Sequence, residues 1–234
     1  MGEQKEVHQR VSDARSILFD IESTNLKANF GYCLAFGYKP LGGKTKVLSV
    51  LDYKHHKNDP TNDAALMKAA HKVLTEDADI IVTYYGKGFD RKFLNTRMIM
   101  AGLSPLPPLS AEHVDLYYTA RGNLALNSNR LASVANALGC PFEKTVLDGP
   151  TWVRGSAGDP KAIKYIIEHC ARDVDVLEYC YLKLRPFVRQ HPPISEVKES
   201  CTSCGKYRWT LRGTRLTSKG RIQRYQCGEC GRWA

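Results

Sequence analysis

No stretch of this 234-residue sequence is long and apolar enough to cross a membrane. The polar segment 1–15 lacks the apolar core of a signal peptide. Both absences predict a cytoplasmic protein with no membrane partner. Acidic charge is in deficit, with 24 Asp and Glu against 34 Lys and Arg, for a net charge of +10. Such an excess points to a polyanionic partner, most often nucleic acid, although solubility alone also accounts for it. A disulfide framework is missing too. Of eight cysteines, Cys33, Cys140, Cys170 and Cys180 lie scattered among apolar neighbours, as buried free thiols do. The other four form two Cys-x-x-Cys pairs. That division fits a reducing compartment and one metal site.

What is present is a hydrophobic fraction of 43%, enough for one good-sized core plus a small appendage. The expected organisation is a polar segment 1–15, a main domain 16–188, a linker 189–200 containing Pro192-Pro193, and an appendage 201–234. The charge is uneven. From Glu196 to Ala234 nine Lys and Arg face three Glu, so +6 of the +10 lies in the last sixth of the chain.

The main domain is organised around Ser16–Thr24. Its apolar run Ile17-Leu18-Phe19 reads as a buried strand and ends in Asp20-Ile21-Glu22. Side chains alternate along a strand, so Asp20 and Glu22 share a face. Adjacent carboxylates on a core strand repel unless a cation lies between them, and oxygen donors suit Mg²⁺ or Mn²⁺. The alternative is an ordinary strand end entering a polar turn. Strands are expected at 32–38 and 46–53, antiparallel across short turns. A helix over 63–76 then leads to a strand at 80–84, parallel to the first. The turn Tyr84-Tyr85-Gly86-Lys87-Gly88-Phe89-Asp90 precedes a helix over 91–101. Asp90 reads as a helix cap or as a third carboxylate near the strand ends. Lys87, Arg91, Lys92 and Arg97 could hold phosphates or be surface charges.

A short strand is expected at 112–116 and a helix at 130–138, while 140–156 reads as irregular. Asp159-Pro160 is a cap followed by proline, the signature of a helix start. That helix runs to about residue 184, with Pro186 beyond it. His169 and Asp173 are four apart and share one face, either a local ion pair or a carboxylate and an imidazole poised together for hydrolysis. Asp175 and Glu178 point elsewhere and read as solvated.

Together, Asp20-Ile21-Glu22, Phe89-Asp90 and His169-x-x-x-Asp173 resemble the three motifs of the DEDD 3′–5′ exonucleases. The chain is most similar to the exonuclease domain of B-family DNA polymerases, on Gly86-Lys87-Gly88-Phe89-Asp90 and Asp173-Val174. The resemblance covers roughly residues 16–188. It implies an α/β, ribonuclease H-like mixed sheet flanked by helices. It also implies two Mg²⁺ or Mn²⁺ ions on Asp20, Glu22, Asp90 and Asp173, with His169 as the base that orients or deprotonates water. Phosphodiester hydrolysis follows, with DNA favoured over RNA and a replication or repair protein as partner. Two positions depart from the pattern. Tyr85 stands where the family often has Asn, and His169 occupies the spacing at which the family has Tyr. A structure-specific endonuclease on the same fold, and a non-cleaving nucleic-acid-binding or polymerase-associated adaptor, are the alternatives.

Cys201, Cys204, Cys227 and Cys230 form two knuckles 22 residues apart, each followed by Gly. Four thiolates suit tetrahedral Zn²⁺, and the segment resembles a zinc ribbon with strands at 206–212 and 220–226. So small a unit needs its metal to fold. Arg208, Arg212, Arg221 and Arg224, with Tyr207, Trp209 and Tyr225 interleaved, fit phosphate contacts and base stacking. A structural or protein-docking ribbon is the other reading.

Overall fold

The computed structural model describes residues 14–108, 110–142 and 147–234. The segment expected at 1–15 lies outside the described residues except for Ala14 and Arg15. Five strands form one mixed sheet, β1 (Ser16–Ser23), β2 (Cys33–Pro40), β3 (Lys46–Ser49), β4 (Ile80–Thr83) and β5 (Glu112–Asp115). Their spatial order is β3-β2-β1-β4-β5. β1, β2 and β3 pair antiparallel, while β1 with β4 and β4 with β5 are parallel. The helix α1 (Ala64–Glu76) supplies the crossover that a parallel β1–β4 pair requires. The remaining helices are α2 (Asp90–Met100), α3 (Leu116–Asn123), α4 (Leu131–Ala137), α5 (Gly149–Ser156) and α6 (Pro160–Leu184).

The alternation of β1 divides the interior. Ile17, Phe19 and Ile21 join the cluster formed with α1 and α2. Leu18 faces the opposite cluster, with Val174, Leu177 and Tyr181 of α6. Asp20 and Glu22 therefore continue the α6 side of the sheet. The β1–β2 register slips between Glu22 and Ser23, so a bulge sits at the end of the carboxylate pair.

α6 can lie close to the sheet because β2 offers Gly37, the register partner of Asp20. A Cβ at Gly37 would come within 2.7 Å of Cys170 Sγ and 3.0 Å of Val174 Cγ2. Asp175 and Glu178, expected to be solvated, instead clasp β2. Lys39 Nζ lies 2.9 Å from Asp175 Oδ1 and 2.7 Å from Glu178 Oε2. The Gly42 amide also donates to Glu178, at 2.7 Å.

Other expectations need correction. The third strand stops at Ser49 and gives way to a 3-10 turn, Val50–Asp52. The stretch read as irregular contains α5, where Asp148 accepts from the Thr151 amide at 2.8 Å and Pro150 occupies the first turn. α3 was not expected. Its N-cap, Asp115, accepts from the Tyr117 amide at 3.1 Å. Asp90 is the first residue of α2, not its cap.

The cysteine-rich unit is a two-stranded antiparallel sheet, β6 (Trp209–Thr217) and β7 (Gly220–Cys227). The segment before it is docked, not extended. Ile194 is buried in the α6-side cluster, and its carbonyl accepts from Ala14 at 2.7 Å. His191 Nε2 and Tyr181 Oη are 2.8 Å apart.

Gly37→Ala is expected to push α6 off the sheet and to lower stability by about 1–3 kcal/mol, as overpacking does. The urea midpoint measures this, and Cys170→Ala in the same chain should recover part of the loss. An unchanged midpoint in Gly37→Ala would refute the close approach.

Candidate active site and cysteine cluster

β1 delivers Asp20 and Glu22, the start of α2 delivers Asp90, and α6 delivers His169 and Asp173. The Ile21 amide, between the two β1 carboxylates, donates to Asp90 Oδ1 at 3.3 Å. That bond ties α2 to β1. His169 Nε2 lies 3.9 Å from Glu22 Oε1 and 3.6 Å from Asp173 Oδ2. Ligand atoms of Glu22, His169 and Asp173 thus fall within 4.8 Å of one another, as do those of Asp20, Glu22 and Cys170. The fold gathers all five residues singled out on β1, α2 and α6. Glu22, Asp90 and His169 are buried, so His169 is not a surface partner of Asp173.

Burial dominates the electrostatics. Removal from water pushes Glu22 up to about 8, and the Asp173 and Asp90 charges push it further the same way. Asp90 rises to about 7, again chiefly through burial. Asp20 is raised well above the ordinary range by burial and by Asp90, Glu22 and Asp173. Carboxylates raised by burial and by one another can be ionised together at neutral pH when a cation lies among them. Their oxygens are the hard donors that Mg²⁺ or Mn²⁺ takes. Asp173 also borders a 210 Å³ cleft with Leu131, Ala135, Asn136 and Phe142.

The turn before α2 is held by Asp115, at the end of β5. Asp115 is buried, and its Oδ1 and Oδ2 accept from the amides of Tyr85 at 2.8 Å and Lys87 at 2.9 Å. Tyr85 has φ 68°, the left-handed region that Asn tolerates better than an aromatic residue. Here Asp115 fixes its amide, and its ring packs on Tyr117, centroids 4.7 Å apart. A Cβ at Gly88 would strike that ring. The signal for Asp115 was a carboxylate where an edge strand meets the helix that follows. On the loop after β1, Leu26 and Phe30 are each 79% exposed and were likewise overlooked.

The candidate phosphate holders divide. Lys87 lines a groove along β5. Arg91 donates to the Pro107 carbonyl at 2.9 Å. Arg97 is engaged elsewhere, with Nη2 2.7 Å from the buried Asp63. On the ribbon, Arg208 pairs with Glu229 at 3.2 Å and Arg212 donates to Gln226 at 3.2 Å. Arg224 lies over the Trp233 ring at 4.5 Å and donates to the Arg212 carbonyl, while Arg221 is exposed.

Cys201, Cys204, Cys227 and Cys230 bring their sulfurs within 4.8 Å of one another. Cys201 and Cys230 Sγ are 3.6 Å apart, and Cys204 and Cys227 Sγ 3.7 Å. A disulfide would need about 2.05 Å. Four sulfurs about 2.3 Å from a tetrahedral centre stand about 3.8 Å from one another. The cluster therefore fits zinc. Cys33, Cys170 and Cys180 are buried free thiols, and Cys140 is half-buried.

A five-stranded mixed sheet in this order, with helices on both faces and a carboxylate cluster at the end of its first strand, is a ribonuclease H-like architecture. The chain belongs to the RNase_H superfamily, whose family model matches residues 17–185. It is similar to the PolC-type DNA polymerase III of Ureaplasma parvum serovar 3, with 28% identity over 143 residues, 54% of this chain and 10% of that protein. The family B DNA polymerase of the hyperthermophilic archaeon Pyrobaculum calidifontis has a similar fold. It matches with a TM-score of 0.61 and 21% identity, covering 74% of this chain and 25% of that one. The chain thus spans a small part of either polymerase. Among the described residues no helix is long and apolar enough to cross a membrane.

Without divalent metal, the native state holds carboxylate protons that the unfolded chain, titrating near 4, has released. The stability tied to these protons is complete below about pH 4 and is lost as pH rises through Glu22's value of about 8. The melting temperature of metal-free protein should therefore fall between about pH 5 and pH 8 more steeply than that of Asp20→Asn/Glu22→Gln. Mg²⁺ or Mn²⁺ should restore most stability at the alkaline end. Parallel profiles for the two proteins would refute the assignment of the cluster.

Proposed function

We propose that the chain is a metal-dependent nuclease that removes nucleotides from the 3′ end of nucleic acid, with DNA the preferred substrate. The observation that carries this reading is the convergence of Asp20, Glu22, Asp90 and Asp173 from three elements on one cluster beside His169, with Glu22 and Asp90 buried and Asp20 and Asp173 half-buried. The polymerase relatives support it, since both act on nucleic acid by name. In this reading residues 16–188 are the catalytic unit and residues 201–234 a ribbon that aids substrate binding, joined by 189–200.

Mg²⁺ or Mn²⁺ ions held by the four carboxylates would supply charge relief for the transferring phosphoryl group and a more acidic water. The chain's own residues do the rest. Asp20 and Glu22 present oxygens from a rigid strand, so their spacing is set by the sheet. Asp90, held by the Ile21 amide, closes the cluster from the α2 side. His169, between Glu22 and Asp173, orients the attacking water or accepts its proton at Nε2. Leu26 and Phe30, exposed on the loop that follows β1, offer apolar contact to unstacked bases.

Asp20→Ala or Asp173→Ala should abolish metal-dependent cleavage, while His169→Ala should lose about 10²–10⁴-fold and retain a trace. A circular strand and a 3′-labelled linear strand are the discriminating substrates. Mononucleotides from the linear end alone are expected. Cutting of the circle would establish an endonuclease, and full activity in Asp20→Ala would remove the site assignment. Removing zinc, or Cys204→Ser, should expose the ribbon to protease while residues 16–188 stay resistant, because a unit this small depends on its metal. A ribbon that stays resistant would show that no metal holds it.

A further inference from the structure

We propose that a single-stranded nucleic acid runs from the ribbon to the carboxylate cluster along a groove on the sheet edge, floored by β5. The proposal rests on the nuclease reading for what happens at one end of the groove. The groove itself stands on its own geometry.

The ribbon is anchored away from the carboxylates. Its first knuckle docks beyond the C-terminal end of α6, where Ser203 Oγ donates to the Arg185 carbonyl at 3.2 Å. Arg185 follows Asp173 by twelve residues, about 18 Å at the helical rise of 1.5 Å per residue. A ribbon that aids cleavage at Asp173 must therefore act through a substrate long enough to reach both ends.

A path is present. β5 is the outer strand of the sheet, and an 800 Å³ groove lies against it. Lys87, three residues before Asp90 in the turn that enters α2, lines it, and its amide donates to Asp115, the last residue of β5, at 2.9 Å. Arg189 and Gln190 line it as well. On the same lining Tyr118 and Phe187 present rings that are 50% and 54% exposed. Tyr118 also packs against Tyr117, 5.3 Å away, and near Tyr85, 6.4 Å away, so the aromatic surface extends to the turn before Asp90. Arg232 joins the groove to the ribbon. Its Nη1 donates to the Val188 carbonyl at 2.7 Å and its Nη2 to the Arg189 carbonyl at 3.1 Å. The same Arg232 borders a 780 Å³ cleft on the ribbon with Tyr207, Trp209, Tyr225 and Trp233.

Cations and exposed rings on one lining are what a single strand needs, phosphate contacts plus stacking without sequence preference. An extended polypeptide could also add to an edge strand. Lys87 and Arg189 share the lining with Glu112 and with Asp115, whose oxygens are taken by the Tyr85 and Lys87 amides. The groove's continuity with a ribbon carrying most of the chain's excess charge favours the polyanion.

The test uses the full zinc-loaded chain with Asp20→Ala, so that binding is read without cleavage. Fluorescence anisotropy follows a labelled single strand of about twenty nucleotides and one of about three, across a salt series. Tyr118→Ala/Arg189→Ala should weaken binding of the long strand by about tenfold or more and leave the short strand unchanged. Arg189→Ala alone should reduce the slope of log affinity against log salt by about 0.7. Tyr118→Phe should restore the stacking share, which excludes a folding defect. Equal loss for both strands, or none for the long one, would overturn the groove. Cleavage of the short strand by the chain with its native Asp20 tests the nuclease reading separately. A chain that binds as described but cuts nothing keeps the groove and loses that reading.

Discussion

Repulsion among four carboxylates drawn together between β1, α2 and α6 is the constraint on which this structure turns. Asp20, Glu22, Asp90 and Asp173 come from one strand and two helices, and each raises the proton affinity of its neighbours or has its own raised. Left alone, such a cluster would drive α6 from β1. The chain opposes this with contacts away from the charges. Gly37 removes the side chain that would hold the helix off, and Lys39 bonds Asp175 and Glu178 on its far part. The Ile21 amide fixes Asp90 between the two strand carboxylates. The rigidity needed to hold like charges together is the same rigidity that would hold cations at fixed places, so stability is given up locally in exchange for a preformed site.

The turn before α2 shows the same logic in the backbone. Tyr85 occupies a left-handed conformation that costs energy for an aromatic residue. Asp115 offsets that cost by accepting from two amides of the turn, and it also caps α3. One buried carboxylate at the end of the edge strand thus fixes both the entry to α2 and the start of α3.

Much of this was legible in the sequence where the signal is local. The alternation of β1 put Asp20 and Glu22 on one face, and the four-residue spacing put His169 beside Asp173, because strand and helix periods are fixed by the backbone. The two Cys-x-x-Cys pairs declared their cluster for the same reason. What stayed hidden depends on contacts between distant segments. Asp63 looks like a helix cap, yet it binds Arg97, 34 positions away, and withdraws that cation from any phosphate role. Asp175 and Glu178 look solvated until β2 is placed beneath them. α5 escaped notice because Gly149 and Pro150 resemble loop residues unless Asp148 is recognised as the cap before them.

The placement of the ribbon changes how the basic charge should be understood. A net charge counted along the sequence suggests one binding patch, whereas the fold anchors the ribbon beyond the C-terminal end of α6, twelve residues along from Asp173 near its middle. The segment expected to be a plain linker makes that separation fixed, since Ile194 enters the core and Arg232 is bonded to Val188 and Arg189. A flexible tether would raise the local concentration of substrate without setting its direction. In the proposed reading a docked ribbon does both, because a strand held at one end of a rigid surface can reach the other only along the path between them.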